Sequence, residues 1–409
     1  IPFRDNVAGA MNMNDSTDID VIIAGAGPVG LAAAFAFQDN GLKPVVADTS
    51  KIASADAAKG RSAALFNKTV SFLQRLGVWE ACQSTAEPLR TLQFIDDTGR
   101  IFRAPDCAFD AAEIGESAFG YNISNADLVR ALRAEAERRG LPLISPGRLV
   151  DLNANSTGAR VTFEDGTEFC AALAVGADGR NSAMREAAGI RSYSWSYDQI
   201  ALAGAFSHER PHKGVCIEFH RAAGPFTLIP LPGNRSSFVW SERSAGAERL
   251  LALGEAEFAA EAEKASRFAL GRIFNLTERA AFPLSSVVVR EYGRGRVALA
   301  GEAAHAAPPI GAQGLNLGFR DAEVLAALAG EAGSRGEDIG GDKLLRAYSA
   351  ARRGDILSRT LGLDLLNRSL LSGFLPVQAA RGLGLYALGT IGPLRRSFMR
   401  RGIAPAGLL

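Results

Sequence analysis

The chain is poor in cysteine, has no long uncharged apolar run and carries almost no net charge, and each shortage excludes a class of protein. Its four cysteines, at positions 82, 107, 170 and 216, form no C-x-x-C pair, which argues against a disulfide framework and favours a reducing compartment. No run of about 18 uncharged apolar residues occurs, so the sequence predicts no transmembrane helix. The 45 basic and 44 acidic residues leave a formal net charge of +1, which gives no electrostatic reason to expect a nucleic-acid partner.

The length of the chain and its first residues set the outer limits of the fold. At 409 residues the chain is too long for one simple core, and two lobes with a tail are expected. Residues 1–17 lack the apolar core of a signal peptide, and Met11 or Met13 is the expected biological start. These first residues are therefore left out of the fold prediction.

The strongest motif is a glycine loop between a strand and a helix. Val21–Ala24 is a short apolar run typical of a buried parallel strand, and Leu31–Phe37 continues as a helix without a breaker. In the G-x-G-x-x-G loop between them, Gly25 permits the tight turn, Gly27 lets the backbone approach a pyrophosphate, and Gly30 lets the helix pack close to the strand. The pattern predicts a dinucleotide site at the helix N-terminus.

Two further residues support the dinucleotide prediction. A second apolar strand, Pro44–Ala47, ends on Asp48, 23 residues after Gly25, where a carboxylate accepts hydrogen bonds from the ribose hydroxyls. Arg61 follows a small, polar loop and is a candidate to neutralise the phosphates, the alternative being a solvated arginine.

Two later strands also end in loops suited to a ligand. Phe169–Val175 reads as a strand that leads into a glycine-flanked carboxylate, Asp178, at the edge where open α/β sheets bind ligands. Val297–Ala300 leads into a Pro/Gly-rich loop, residues 301–316, and then a helix whose positive end would suit an anionic cofactor. Between these segments, residues 190–282 alternate between apolar and polar with many aromatics, which predicts a second, sheet-based lobe suited to a hydrophobic ligand.

Three segments carry a resemblance to a known family. They are the glycine loop with its acid, Gly176-Ala177-Asp178-Gly179, and Gly301-Glu302-Ala303-Ala304-His305 through Asn316. In order and separation they resemble the class A flavoprotein aromatic hydroxylases, and within that class the chain looks like the ubiquinone-biosynthesis hydroxylase family. The tail stretches Leu366–Ser372 and Pro393–Arg400 add to the similarity, which runs from about Asp18 to about Ile403.

The resemblance implies an α/β fold like that of p-hydroxybenzoate hydroxylase: a Rossmann-like FAD-binding domain, an inserted β-sheet substrate domain and a C-terminal helical tail. The FAD-binding domain is expected in three parts, 18–90, 116–189 and 283–340. The substrate domain is expected as a hairpin at 91–115 and a sheet at 190–282, and the helical tail at 341–409.

FAD is the cofactor that the resemblance implies. The ADP half is expected on Gly25, Gly27, Gly30 and Asp48, with Arg61 and Asn125 near the pyrophosphate and the flavin. Asp178 matches the acid in the middle of the FAD cleft, and Glu302 matches the acid that holds the ribityl chain. The isoalloxazine is expected beside Pro309 and the backbone of Gly314, Leu315 and Asn316.

The chain departs from the family pattern at two of these acids. Asp48 replaces the commoner Glu, and Glu302 replaces the commoner Asp. Neither change removes a charge, so FAD binding is still expected and only the detailed geometry of the contacts is affected.

The implied reaction is hydroxylation of a phenolic ring. A reductant, expected to be NADPH or NADH, reduces FAD, and dioxygen then forms a flavin hydroperoxide whose outer oxygen attacks an electron-rich ring. The cofactor carries the difficult step, while the protein supplies position, charge and dryness. The expected substrate is a polyprenylated phenol of ubiquinone biosynthesis. No catalytic side chain is assigned, and Pro309 is placed beside the site of oxygenation.

The histidines are given no catalytic role. His305 is expected to be structural, at the start of its loop, rather than a proton carrier. His208, His212 and His220 raise the question of a metal site, but Pro211 argues against a helix that would align the first two, so no metal site is predicted.

The tail is basic and apolar. From Leu365 onward the sequence contains no acid and six arginines: Arg368, Arg381, Arg395, Arg396, Arg400 and Arg401. Residues 373–391 are apolar but interrupted by Pro376 and by glycines. This combination is typical of a segment that lies on an anionic membrane surface, and the alternative is a helical pair that closes the FAD lobe. We expect a cytoplasmic enzyme with peripheral contact on the inner face of the membrane and contact with other ubiquinone-biosynthesis enzymes.

Other functions on the same fold remain open alternatives. They are a prenyl reductase, another aromatic hydroxylase and a non-enzymatic FAD-binding assembly partner. A halogenase is disfavoured because Trp195-Ser196-Tyr197 does not match the tryptophan-paired signature of that class. The intact loop from Pro309 to Asn316 argues against the assembly partner.

Overall fold

The computed structural model of the chain describes residues 19–49, 60–100, 103, 105–372 and 375–403. The strands in these ranges, in chain order, are β1 (Val21–Ala24), β2 (Pro44–Ala47), β3 (Ser62–Phe66), β4 (Ala86–Leu89), β5 (Thr91–Asp96), β6 (Cys107–Asp110), β7 (Gly120–Ser124), β8 (Leu143–Ile144), β9 (Leu149–Ala154), β10 (Ala159–Phe163), β11 (Glu168–Ala171), β12 (Leu173–Gly176), β13 (Ser192–His208), β14 (Val215–Arg221), β15 (Gly224–Leu231), β16 (Arg235–Glu242), β17 (Ile273–Phe274), β18 (Ala280–Val289), β19 (Gly293–Arg294), β20 (Val297–Leu299) and β21 (His305–Ala306).

Helices alternate with the strands in the first half of the chain and dominate its end. In chain order they are α1 (Pro28–Asp39), α2 (Asn67–Arg75), α3 (Trp79–Gln83), α4 (Asn125–Arg138), α5 (Ala183–Ala187), α6 (Ser244–Ala252), α7 (Glu255–Ala265), α8 (Gln313–Ser334), α9 (Asp342–Leu371), α10 (Leu375–Thr390) and α11 (Gly392–Ile403). Short 3-10 helices span Ala111–Ile114 and Gly301–Ala303.

The first lobe is built on a sheet with the strand order β19-β20-β12-β1-β2-β8. All neighbours in it are parallel except β19, which pairs antiparallel with β20 at the edge. The central strands β1, β2 and β12 are buried along their whole length, as expected for apolar runs covered on both faces. Helix α1 is buried continuously from Gly30 to Phe37, because it packs against β1, β2, α4 and α8.

The strand predicted over Phe169–Val175 is divided in two. Its first half, β11, pairs with β10 in a small antiparallel sheet, whereas its second half, β12, enters the central parallel sheet. The chain changes sheets at Ala172, so the loop that carries Asp178 follows a buried strand directly beside β1.

The second lobe is one large sheet with the order β21-β18-β13-β16-β15-β14-β5-β6, and β17 also pairs with β13. Within the hairpin predicted at 91–115, β5 pairs with β6, Cys107–Asp110, and residues 101–102 lie outside the described residues. The predicted boundary at 282 falls inside β18, which pairs with both β13 and β21. One face of the sheet packs on α6 and α7 through residues such as Trp240 and Phe258.

Helix α9 joins the two lobes. The Tyr348 hydroxyl donates to the Leu299 carbonyl of the first lobe at 2.8 Å. Farther along the same helix, the Asn367 amide donates to Gln199 Oε1 of the large sheet at 2.9 Å. Because both bonds are buried, the helix fixes the position of one lobe relative to the other.

A buried carboxylate on α8 holds the loop that follows β20. Asp321 Oδ2 accepts from the Gly301 backbone N–H at 2.9 Å and pairs with His305 Nε2 at 2.6 Å. Its other oxygen accepts from Arg352 Nε of α9 at 2.7 Å. Burial opposes ionisation, but the charges of His305 and Arg352 outweigh it and hold the pKa of Asp321 below its usual value. His305 is therefore part of a structural network, as the sequence predicts.

A second carboxylate extends this network to the start of α8. Asp355 accepts from Arg320 at 2.8 Å, from Arg352 at 3.0 Å and from Arg359 at 2.8 Å. Arg359 also donates to the Gln313 side chain at 2.8 Å. Burial opposes ionisation of Asp355, but the Arg359 hydrogen bond and the three positive charges outweigh it and lower its pKa to about 2.

The network predicts a loss of stability in acid. Because the pKa of Asp355 is lowered from 3.8 to about 2 on folding, its stabilising effect is complete above pH 3.8 and is lost as the pH falls towards 2. We expect Asp355→Asn to lower the free energy of unfolding at neutral pH by roughly 3 kcal/mol, because three guanidinium groups lose their partner. Its stability should also fall less steeply below pH 3.8 than that of the wild type.

Denaturant unfolding measured across this pH range tests the prediction. Asp342→Asn, in the exposed first turn of α9, is the matched control and should keep the wild-type slope. A variant Asp355→Asn with the wild-type acid slope would contradict it.

Candidate active site

The three glycines of the first loop have different structural roles. Gly25 has a φ of +107°, and a Cβ there would lie 2.3 Å from the Ala177 carbonyl oxygen. A Cβ on Gly30 would lie 1.9 Å from the carbonyl oxygen of Gly25. Gly27, by contrast, has a φ of −72°, and a Cβ there would meet no atom within 4 Å. The fold itself therefore requires Gly25 and Gly30, while Gly27 faces open space.

A cleft of about 300 Å³ lies in front of this loop. Helix α1 begins at the cleft with no side-chain cap, so N–H groups of its first turn are open to an anionic ligand. Asp48 lines the same cleft, and its Oδ2 accepts from the Ala26 N–H at 2.8 Å. Arg148, Gly179 and Asn181 also line it. The predicted phosphate loop and ribose acid are thus brought together in one cleft.

Two further predicted residues each carry a buried oxygen without a hydrogen-bond partner among the described residues. Asp178 Oδ2 accepts from the Met184 N–H at 3.0 Å, but its Oδ1 is buried and unpaired. Asn125 begins α4, and its side-chain Oδ1 is likewise buried and unpaired. Since buried acceptors are normally satisfied, these two atoms suit a ligand that offers hydroxyl donors.

The other two charged candidates do not line this cleft but contact other side chains. Glu302 is exposed on the 3-10 helix, and its Oε2 lies 3.8 Å from Nε of Arg180, close to the Asp178 loop. Arg61 precedes β3, and its guanidinium carbon lies 5.2 Å from the ring centre of Phe282 in the large sheet. The structure therefore brings Glu302 to the second loop, whereas Arg61 contacts the large sheet of the second lobe.

The loop before α8 is preorganised at the helix start. Ala312 has a φ of +52°, in the left-handed region, and α8 begins after it without a side-chain cap. The backbone N–H groups of Gly314, Leu315 and Asn316 therefore belong to an uncapped helix N-terminus. A Cβ on Gly314 would meet no atom within 4 Å, so the backbone can be approached closely there. Pro309, four residues before the start of α8, is exposed.

The side chain of Asn316 is occupied by the protein itself. Its Oδ1 accepts from the Phe66 N–H at 2.9 Å and from the Thr69 hydroxyl at 2.7 Å. Its Nδ2 donates to the carbonyls of Ala64 at 2.8 Å and Ala312 at 2.7 Å. The side chain thus ties the start of α8 to β3 and α2, which leaves the backbone as the part able to contact a ligand.

A second, larger cavity adjoins this loop. It has a volume of about 480 Å³ and is mostly apolar. The large sheet, Pro309–Gln313, α9 and the last two helices all contribute to its lining; the apolar side chains include Phe66, Leu92, Phe94, Phe109, Ile229, Val239, Leu363, Leu366, Leu388 and Phe398. Glu218 and His220 are its buried polar pair, with His220 Nε2 and Glu218 Oε1 2.8 Å apart.

The pair of Glu218 and His220 is not among the residues that the sequence predicts for the site, since His220 raises there only the question of a metal ligand beside His208 and His212. The described residues contain no group of three or more His, Cys, Asp or Glu side chains able to hold a metal. The available signal was the alternation Val-Cys-Ile-Glu-Phe-His over residues 215–220, which puts polar side chains at every second position of a predicted strand. Only one face of such a strand packs into the core.

Comparisons with known proteins agree with this arrangement. A family model described as an FAD binding domain matches residues 18–356. Ubiquinone hydroxylase UbiL of Rhodospirillum rubrum is 36% identical over 386 residues, which cover 93% of this chain and 88% of that protein. The 3-demethoxyubiquinol 3-hydroxylase of Escherichia coli is 30% identical over 386 residues, 93% of this chain and 97% of that protein.

A solved structure shows the same fold. Klebsiella pneumoniae HpxO, complexed with FAD and uric acid, has a TM-score of 0.75 and 21% identity, and the match covers 96% of this chain and 98% of that one.

The residues present suit FAD, a ligand with a dinucleotide end and a ring end. The open side of Gly27 and the uncapped α1 suit the pyrophosphate, and Asp48 suits the ribose. The unpaired oxygens of Asp178 and Asn125 suit hydroxyl donors. The uncapped start of α8, beside the apolar cavity, suits the ring end.

The geometry of Gly27 predicts a variant that folds but does not bind FAD. The Cβ of a valine at position 27 would meet no protein atom within 4 Å, and the side chain would project into the space that the pyrophosphate needs. We expect an unchanged circular dichroism spectrum and the loss of flavin absorbance from the purified protein.

Gly354→Val is the matched control, because Gly354 is exposed on α9 and a Cβ there also meets no atom within 4 Å. It should keep its flavin. A folded Gly27→Val protein with one flavin per chain would refute the assignment of this cleft.

Proposed function

The chain belongs to the FAD-binding-domain family and, within it, to the flavoprotein hydroxylases of ubiquinone biosynthesis, and from this premise we propose that it hydroxylates the ring of a polyprenylated phenol. It is an FAD-dependent aromatic monooxygenase. The proposal adds the class of substrate, dioxygen as the oxygen source and NADPH or NADH as the electron donor.

The proposal rests on one observation: the loop before α8 and the large sheet line the same cavity. The loop Pro309–Gln313, which leads into the uncapped start of α8, lines the same space as the apolar face of the large sheet. A ring bound in this space lies next to the end of the cofactor site. The apolar lining suits both an aromatic ring and the first part of a prenyl chain.

The protein contributes position and dryness to the reaction. When bound, FAD would supply the redox chemistry by which two electrons from the reductant and one dioxygen give one oxygen atom to the ring and one to water. The side chains from the sheet, α9, α10 and α11 enclose the cavity and limit the access of water. The exclusion of water favours transfer of the oxygen atom over release of hydrogen peroxide.

Product analysis tests the proposed reaction. Hosts that each lack one hydroxylation step of ubiquinone biosynthesis are complemented with this chain, and we expect one of them to regain ubiquinone. The purified holoenzyme, with NADPH or NADH and a short-chain prenylphenol, should add one oxygen atom to the ring. Gly27→Val should fail in both assays and Gly354→Val should succeed.

Other products would overturn the proposal. A product that gains two hydrogens in its chain would identify a prenyl reductase. Flavin-loaded protein that rescues no host and modifies no prenylphenol would favour the assembly partner.

The C-terminal helices form the surface around the cavity. Leu388 of α10 and Phe398 of α11 line it. Large apolar side chains are also exposed on these helices and on α9: Leu357, Leu361, Leu365, Leu383, Tyr386 and Leu394, with Ile391 between α10 and α11. Arg396 and Arg400 are exposed on α11. Since the surface combines apolar and basic groups next to the cavity, we propose that it docks on an anionic lipid bilayer, from which the substrate enters. No described helix is both long and apolar enough to cross a membrane.

Two of the tail arginines predicted to meet the membrane form ion pairs with carboxylates of the protein. Arg395 Nε donates to Glu113 at 2.6 Å, and its guanidinium lies 4.5 Å from the ring centre of Phe109. This hydrogen bond lowers the pKa of Glu113 to about 2. Arg368 pairs with Asp364, one turn earlier on α9, at 2.8 Å. Arg395 is mostly buried in these contacts, whereas Arg368 stays exposed, with 62% of its side chain accessible, and the docking proposal uses neither.

The side chains of Arg381 and Arg401 lie outside the described part of the tail. The docking proposal therefore rests on Arg396 and Arg400.

Liposome sedimentation tests the membrane proposal. Because each arginine near an anionic surface contributes about 1 kcal/mol, Arg396→Gln with Arg400→Gln should weaken binding to phosphatidylglycerol-containing vesicles about 30-fold at low salt. The control, Arg335→Gln with Arg346→Gln, removes the same charge from exposed positions just after α8 and on α9 and should bind like the wild type. Wild-type protein that stays in the supernatant, or equal losses in both double variants, would overturn the proposal.

A further inference from the structure

Strand β14 places a histidine and a glutamate, His220 and Glu218, at the cavity, and the proposed reaction as described above gives them no role. Its side chains alternate: Ile217 and Phe219 pack into the core of the second lobe, while Cys216, Glu218 and His220 line the cavity. Glu218 and His220 are two residues apart on one face of the strand, so they meet without any loop rearrangement.

Glu218 fixes the orientation of the His220 ring. His220 Nε2 and Glu218 Oε1 are 2.8 Å apart, and the Thr227 hydroxyl on the adjacent strand donates to the other carboxylate oxygen at 3.3 Å. A neutral imidazole has one N–H, and facing a carboxylate it must be the one on Nε2. Nδ1 then carries a lone pair and is an acceptor, as in hydrolase triads in which a carboxylate orients a histidine.

The acceptor atom has no partner in the described protein. His220 is 2% exposed, and its Nδ1 is buried without a hydrogen bond. An unpaired polar atom in a buried position carries a desolvation cost of about 1 to 3 kcal/mol, which a bound ligand with a hydroxyl donor would remove. The phenol of the proposed substrate is such a donor.

The other titratable groups near His220 are less suited to accept a proton from a ligand hydroxyl. Glu218 is its own partner, and Asp96, opposite His220 on β5, accepts from the Thr98 hydroxyl at 2.6 Å. Cys216 lies on the same face, and burial raises the pKa of its thiol, so it stays neutral. Arg359, across the cavity on α9, is bound to Asp355.

We propose that His220 is the catalytic base that accepts the proton of the ring hydroxyl, with Glu218 as its positioning residue; this rests on the proposed phenol hydroxylation. The phenolic O–H bond breaks, the proton moves to Nδ1, and the electron pair stays on the ring oxygen. The imidazolium that forms is stabilised by Glu218. The phenolate donates electron density to the ring carbons that receive the oxygen atom, and the proton returns to the oxygen of the product, so the step consumes no further reagent.

A binding measurement tests the proton transfer independently of turnover. The probe is 4-nitrophenol, whose phenolate absorbs at longer wavelength than the neutral phenol, added to the holoenzyme well below the pKa of the free probe. The wild type should bind the phenolate, and His220→Gln should bind the neutral form. His212→Gln, the same substitution in a side chain outside the cavity, should behave like the wild type.

Turnover gives the second readout. We expect His220→Gln to lower the hydroxylation rate roughly 100-fold or more while KM changes little and flavin content is unchanged. Its activity should recover as the pH approaches about 10, where a phenol ionises unaided. Glu218→Gln should cause a smaller loss, because the imidazole remains in place.

The outcomes separate this proposal from the proposed function. If wild type and His220→Gln bind the probe in the same ionic form, or if the lost rate does not recover at high pH, His220 is not the base. If the wild type hydroxylates no phenol, the proposed function fails, and the binding spectra still decide whether His220 takes the proton.

Discussion

The buried contact between Asp321 and its three partners supports the whole ligand-binding side of the molecule. One carboxylate holds the Gly301 amide, His305 and Arg352, so α8 and α9 together determine the path of the loop after β20. Removing one partner of such a group costs several kcal/mol, because the remaining charge stays buried. The loop carries Glu302 and Pro309, and their positions therefore depend on charges far from them in sequence.

The ligand-binding region is divided into two parts with opposite physical character. The cleft at α1 offers backbone N–H groups, an open glycine and unpaired oxygens, which suit a polar dinucleotide. The cavity beside Pro309 is apolar apart from a few polar side chains, among them Glu218 and His220, which suit a phenolic ring. The protein can thus bind the charged end of the cofactor in the polar cleft and keep water away from oxygen transfer in the apolar cavity. The tail helices contribute to the lining of the apolar part, so they belong to the proposed active site.

Local patterns predicted the parts of the site that depend on adjacent residues. The strand, glycine loop and helix around Gly27 form where the sequence places them, since a buried parallel strand and a G-x-G-x-x-G turn are short-range features. The resemblance extended this to Asp178 and to the loop before α8. It did not reveal that the Asn316 side chain is fully used by the protein, because three of its four partners, in Ala64, Phe66 and Thr69, come from segments about 250 residues away in the chain.

The sequence by itself determined the class of fold, the dinucleotide loop and the expectation of an apolar second lobe, because these follow from periodicity, glycine placement and motif order. Only the tertiary structure decided which polar residues enter the cavity and which tail arginines remain outside. His220 becomes a candidate base because β14 lies in a sheet with one face open to the cavity, and Arg395 becomes a packing residue because α11 lies against β6 and Glu113. Both outcomes depend on contacts between residues far apart in the chain, whose geometry no local pattern encodes.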